Sequence, residues 1–283
     1  MAISVEIFHT GVFPKDLTVK DIIGDDLSVG SYDMNWRIMV GKITPDMGVF
    51  DPKKPGRAIN LLMDPENKKT TKLNLPIPCS DNDVEIFVKL VVRIAKKVRG
   101  SISIDGGDEI PYQVFEANEG KMKEFNDNAI KEVADKLLKG ESPSFCVFGA
   151  YWPLFMGREE AEKIAENVRE FDNWLCEKQL MDVYYAGVNF YKGPQGPFGV
   201  YALSDECESV FPNKPRIPFG FGVNGKPLEC KDFRVFLGSK DEKIGEISYD
   251  DFLKKIPKDK ITRYDEADFL LADLTLDELR ALV

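Results

Sequence analysis

The segment that most constrains the fold is residues 80–100. Val84, Phe87, Val88, Val91, Ala95 and Val98 recur at intervals of three and four, so one face of a helix is apolar. Ser80 with Asp83 three positions on has the spacing of a capping box, Lys97 and Arg99 sit where the helix dipole favours cations, and Gly100 ends the helix. A helix with such a face must be buried against something, and the flanking segments read as strands. Ile3, Val5 and Ile7 alternate in "MAISVEIFHT", and Trp36, Ile38 and Val40 in "MNWRIMVGK". "RAINLLMD" and "TKLNLPI" flank "DPENKK" as a hairpin, while "SISID" follows the helix and turns at "GG".

Two more long helices are expected. Residues 120–138 would bury Met122, Phe125, Ala129, Ile130, Val133 and Leu137, and residues 158–180 would bury Ala161, Ile164, Ala165, Val168, Phe171 and Leu175. Short helices start at Thr18, Ser248 and Thr275, with Asp21 and Glu278 completing boxes at the first and last. Capping physics alone accounts for this recurrence, so it implies no duplication. "SFCVFG", "MDVYYAGVNFY", "FGVYALS" and "DFRVFLG" read as strands, with another near "ITRYDEADFLLA". Helices placed among hairpins without βαβ order give an α+β fold, with mainly antiparallel sheets, three long amphipathic helices and short capped ones. "KGESPS", residues 139–144, reads as a linker. Residues 1–140 carry 20 Lys and Arg against 22 Asp and Glu, and residues 141–283 carry 18 against 26. The expected halves are therefore 1–140 and an acidic 141–283.

The net charge of −10 makes the chain a poor fit to nucleic-acid backbone or to an anionic membrane surface, and leaves basic protein partners open. "CVFGAYWPLFMG" is too short to span a bilayer, and the first ten residues lack the basic and apolar regions of a signal peptide. The expected location is cytoplasmic. Five widely spaced cysteines without a C-x-x-C argue against a disulfide framework or a zinc site, and Cys146 and Cys176 read as core residues.

Chemistry is sparse. His9 is the single histidine; it ends a strand, and no G-x-S-x-G accompanies it. No P-loop occurs. Gly220, Gly222 and Gly225 match G-x-G-x-x-G, but Lys226 and Pro227 follow where a nucleotide-binding helix would start. "IDGGDEIP" clusters acids without the register of a calcium loop and reads as a turn. No catalytic residue, metal or cofactor is assigned. Lys89, Arg93, Lys96, Lys97 and Arg99, with Lys68, Lys69 and Lys72, form either a solvated basic face or a patch for an acidic partner.

The densest feature is "YYAGVNFYKGPQGPFGVYAL". Neither face of "DVYYAGVNFY" is plainly polar, so the expected strand is central and covered on both sides. The competing reading is a binding surface of Tyr184, Tyr185, Tyr191, Phe198, Tyr201 and Phe211, with "KGPQGP" as its tip. Asp182, Asp205 and Glu206 flank it and are the carboxylates to examine for acid–base chemistry. The expectation is a soluble, non-enzymatic interaction module that takes a protein partner or a second copy of itself. The alternative is a carboxylate-using hydrolase at the same surface.

"IPCSDNDVEIFVKL", "DVYYAG", "VFPNKP", "ISYDDFL" and "RYDEADFLLADL", between residues 77 and 274, give the chain a resemblance to a bacterial family of similar length, a domain of unknown function. These segments are architectural, and the resemblance implies no activity, cofactor or site residue.

Overall fold

Ile3, Val5 and Ile7 do share a buried face, in the strand β1 (Ala2–Phe8). This is seen in a computed structural model that describes residues 1–10, 17–63, 69–223 and 226–283. The chain divides into two compact units, Met1–Leu180 and Met181–Val283. The division after residue 140 expected from charge falls inside the first unit. Most of "DPENKK", with Lys68, lies outside the described residues.

In the first unit, β1 is followed by α1 (Val19–Ile23), β2 (Ser28–Tyr32), β3 (Ile38–Val40), β4 (Asp46–Phe50), β5 (Ile59–Leu62) and β6 (Thr70–Pro76). Then come α2 (Asp81–Val98), β7 (Ser101–Ile104), α3 (Tyr112–Glu116) and α4 (Glu119–Leu138). The unit closes with β8 (Phe145–Phe148), β9 (Pro153–Met156), α5 (Arg158–Glu166) and α6 (Glu170–Leu180). β1 to β7 make one antiparallel sheet in the order β3-β2-β4-β5-β6-β1-β7, and β8 and β9 form a separate hairpin. α2 lies in the same core as β1 and β6. All six stripe residues are buried, and so are Ile86, Leu90, Val92 and Ile94, so this helix is covered well beyond one face.

Several expectations need correction. Trp36 is not in a strand: Asp33 Oδ1 accepts the N–H groups of Asn35 and Arg37 at 2.8 and 3.0 Å, which makes a side-chain-closed turn with Trp36 at φ 59°, and β3 starts only at Ile38. Phe125 is 45% exposed, because Asn126 takes the core-facing position on α4 and brackets the main chain of Cys79, with Cys79 N–H to Oδ1 at 2.8 Å and Nδ2 to Cys79 O at 2.7 Å. The helix expected over 158–180 is two helices, separated where Asn167 adopts extended backbone at φ −148° and its Oδ1 accepts the N–H of Arg169. Cys146 and Cys176 are only half-buried, and Cys79 is the thiol in the core.

The second unit contains β10 (Tyr184–Tyr185), β11 (Asn189–Gly193), β12 (Gly196–Ser204), β13 (Ser209–Pro212), β14 (Gly222–Val223) and β15 (Lys226–Pro227). β16 (Asp232–Gly238), β17 (Lys243–Ser248), α7 (Tyr249–Lys255), β18 (Ile261–Arg263), β19 (Asp268–Leu271) and α8 (Leu276–Ala281) follow. They form two four-stranded sheets, β10-β13-β19-β18 and β11-β12-β16-β17. The β10–β13 and β12–β16 pairs are parallel and the other pairs of these sheets antiparallel. The chain is thus α+β with mainly antiparallel sheets.

The strand expected over "MDVYYAGVNFY" is divided: β10 belongs to one sheet and β11 to the other. Residues 186–188 cross between them, with Ala186 and Val188 in the core. "KGPQGP" is mostly strand, since Gly193 pairs with Gly196 and only Pro194 and Gln195 turn the hairpin, helped by Gly196 at φ 119°. Around the glycine motif, β14 and β15 form an antiparallel ribbon; residue 225 lies outside the described residues. Among the described residues, no helix is long and apolar enough to cross a membrane.

Candidate functional site

The six aromatics of the expected surface separate into three places in the second unit. Tyr185, Tyr201 and Phe211 are core residues, 7, 2 and 0% exposed. Tyr185 and Tyr201 meet an ion pair that sequence spacing could not disclose. Arg216 meets Asp268 fork to fork, at 2.7 Å (NH1 to Oδ1) and 2.8 Å (NH2 to Oδ2), and the Asp268 side chain is wholly buried. The same guanidinium donates to Tyr185 Oη at 3.0 Å. Tyr201 Oη accepts the N–H of Arg216 at 3.1 Å and donates to its carbonyl at 3.2 Å. Tyr249 donates to Pro212 O at 2.7 Å. Burial raises the hydroxyl of Tyr201 to about 12 and that of Tyr185 well above the ordinary range. This node fastens the stretch after β13 against both sheets, and its groups are spent on one another.

Tyr191 and Phe198 occupy a different place. They are cross-strand partners on the outer face of the β11-β12-β16-β17 sheet, their rings stacked at 5.7 Å and 28°. Arg234 of β16 lies over Phe198, its Cζ 4.7 Å from the ring centre, held there by Asp232 at 2.6 Å and Glu246 at 3.6 Å. Along the same strands Lys243 covers Phe236 at 5.4 Å. Tyr191 is 54% exposed. The face is therefore a ladder of rings and cations across the four strands β11, β12, β16 and β17, edged by carboxylates.

Tyr184 lines an open depression of about 630 Å³ with Asp182, Glu206, Glu208 and Asp273. The parallel β10–β13 pair and its flanks shape it: Tyr184 N–H donates to Glu208 O at 2.8 Å, and Glu206, in the left-handed region at φ 51°, donates its N–H to Leu274 O at 3.0 Å. Two of the three flanking carboxylates, Asp182 and Glu206, do converge here. Asp205 does not line the depression. Glu208 and Asp273 were not singled out by sequence, because the second lies far along the chain in the segment after β19.

The first unit holds two polar centres, of which sequence spacing marks only the Ser80–Asp83 capping pair. Asp83 is fully buried; its Oδ2 accepts the N–H groups of Arg57 and Ser80 at 2.8 and 2.9 Å, and burial pushes its carboxyl up to about 7. Arg57 donates Nε to Phe148 O at 3.0 Å and NH1 to Pro78 O at 2.9 Å. At the break between α5 and α6, Arg169 reaches Asp81 at 2.5 Å, Asp172 at 3.3 Å and Asp127. Burial raises Asp172 to about 6 despite this guanidinium. His9 Nε2 is 3.0 Å from Thr71 Oγ1, a strand-end contact. Among the described residues, no group of three or more His, Cys, Asp or Glu is placed to hold a metal.

Fold and surfaces together define an α+β protein of two compact units, the second of which carries a ring-and-cation sheet face. The chain matches, over residues 2–282, the family described as a domain of unknown function, DUF4299, and belongs to it. No curated protein and no solved structure matches.

Proposed function

We propose that the protein is a soluble, cytoplasmic, non-enzymatic interaction module that takes a protein partner on the outer face of the β11-β12-β16-β17 sheet. The observation that carries this reading is the Tyr191–Phe198–Arg234 ladder, with Tyr191 more than half exposed. Tyr and Arg dominate binding energy at protein interfaces, and a patch of rings edged by charge suits a partner with its own apolar centre and polar rim. Asp232 and Glu246 supply that rim.

Capture from native lysate with the wild-type chain, against a Tyr191→Ser, Phe198→Ser, Arg234→Glu triple variant, tests it. A defined protein retained by the wild type and lost by a folded variant is the expected result. Sedimentation of the purified chain identifies a second copy as that partner if the triple variant dissociates a dimer. Equal capture by both forms would overturn the assignment. A carboxylate hydrolase remains the rival because Asp182 and Glu206 share the acidic depression with Glu208 and Asp273. Turnover in a hydrolase panel that Asp182→Asn or Glu206→Gln abolishes would put that reading in its place.

A further inference from the structure

The first unit has a depression of about 670 Å³ between the C-terminal end of α2 and the start of α3. Its walls combine cations with apolar surface. Lys96 stands over the ring of Tyr112, its Nζ 5.0 Å from the centre, and Arg99, Gln113, Ile110 and Pro111 complete the rim. Among the described residues, no hydrogen bond or ion pair engages the Arg99 guanidinium or the Gln113 amide. The one acid on the wall, Glu109, accepts a hydrogen bond from Ser101 Oγ. The donors are therefore open while the acid is engaged.

The backbone here is also unusual. Arg99 caps α2 in the left-handed region, at φ 53° and ψ 40°, where glycine is the ordinary occupant. A glycine is adjacent, but it serves another end: a Cβ on Gly100 would come 2.3 Å from Phe8 O, so Gly100 is used for the close approach to β1. The left-handed position falls to Arg99, which reaches the rim of the depression from it. A cap alone would be better served by glycine, and residues held in such conformations cluster where a side chain is needed.

We propose that this depression binds an organic oxyanion, a carboxylate or a phosphate carried on a flat apolar body. Arg99 and Lys96 take the charge, Gln113 adds a neutral donor, and Tyr112, Ile110 and Pro111 take the body. A guanidinium offers two parallel donors to either oxyanion.

Amide chemical-shift titration of the full chain tests this with phenyl phosphate, benzoate and inorganic phosphate as probes. Saturable shifts are expected with phenyl phosphate or benzoate at residues 95–101 and 109–113, and the stronger of the two names the head group. Inorganic phosphate, lacking the body, binds more weakly. Arg99→Gln should lower the affinity about tenfold, the order of one lost charge-assisted contact. Arg99→Gly should raise the melting temperature while losing the same affinity, which a purely capping residue would not do. Absence of saturable shifts at these amides with both organic probes, or unchanged affinity in Arg99→Gln, would overturn the proposal.

Discussion

Asp83 shows how one side chain serves two ends. As the third residue of α2 it completes a capping box with Ser80, and the S-x-x-D spacing made that half legible. Its other partner, the N–H of Arg57, comes from 26 positions upstream and left no local trace. The only clue is Gly56, where a Cβ would fall 2.2 Å from Asp83 Oδ2, and a single glycine in a loop has many readings. The same limit explains the aromatics. Alternation showed that Tyr185 and Tyr201 sit in strands; which face meets Arg216 is a tertiary fact. Asp83 also gives a pH prediction. Its carboxyl lies near 3.8 unfolded and about 7 folded, so the folded chain holds the proton more tightly. Its contribution to stability is full below about pH 4 and lost as the pH rises through 7, a change of about 4 kcal/mol. Raising the pH from 5 to 8 should therefore lower the melting temperature, and Asp83→Asn should flatten that slope. Calorimetry at four pH values checks it, and parallel slopes in both proteins would reject it.

Among elements, capping signals transferred best. The openings at Thr18, Ser80, Ser248 and Thr275 all cap helices, each hydroxyl accepting the N–H three residues on. These are contacts within four residues, which is why spacing suffices. Long periodicity was less dependable. The stripe through residues 158–180 continues across Asn167, yet the helix stops there so that Arg169 can reach Asp81, Asp127 and Asp172. Three carboxylates on other turns and helices outweigh one turn of continued helix. Removing their shared cation by Arg169→Gln should destabilise the protein by about 1–3 kcal/mol, discounted from a fully buried pair because the side chains are partly exposed. The loss should be larger at pH 8 than at pH 5, because Asp172, raised to about 6, takes up a proton in between and relieves the crowding. Urea denaturation at both pH values measures this, and equal losses would show that repulsion is not the cause.

At the scale of the whole chain, fold class was readable because strands and helices alternate without βαβ order, while the extent of the units was not. The charge shift at residue 140 marks composition. Residues beyond it complete polar centres before it: Phe148 supplies a carbonyl to Arg57, and Arg169 supplies the cation for Asp81 and Asp127. A fragment of residues 1–180 should therefore fold, with dispersed amide resonances and a cooperative melt, whereas residues 1–140 should melt lower or not cooperatively. The opposite ranking would refute the role given to residues 141–180.

The parallel pairing of β12 with β16 bears on how this protein is made. A hairpin partner can dock as soon as it is synthesised, but a parallel neighbour must wait for the chain to travel back. Residues 205–231 separate the two strands, and until β16 emerges the inner side of the β11–β12 hairpin, with Tyr201 and Leu203, has no cover from Val235 and Leu237. On the ribosome, then, the second unit passes through an interval in which its stickiest strand is already out and its neighbour is not, and that interval is when the nascent chain is most exposed to misassociation.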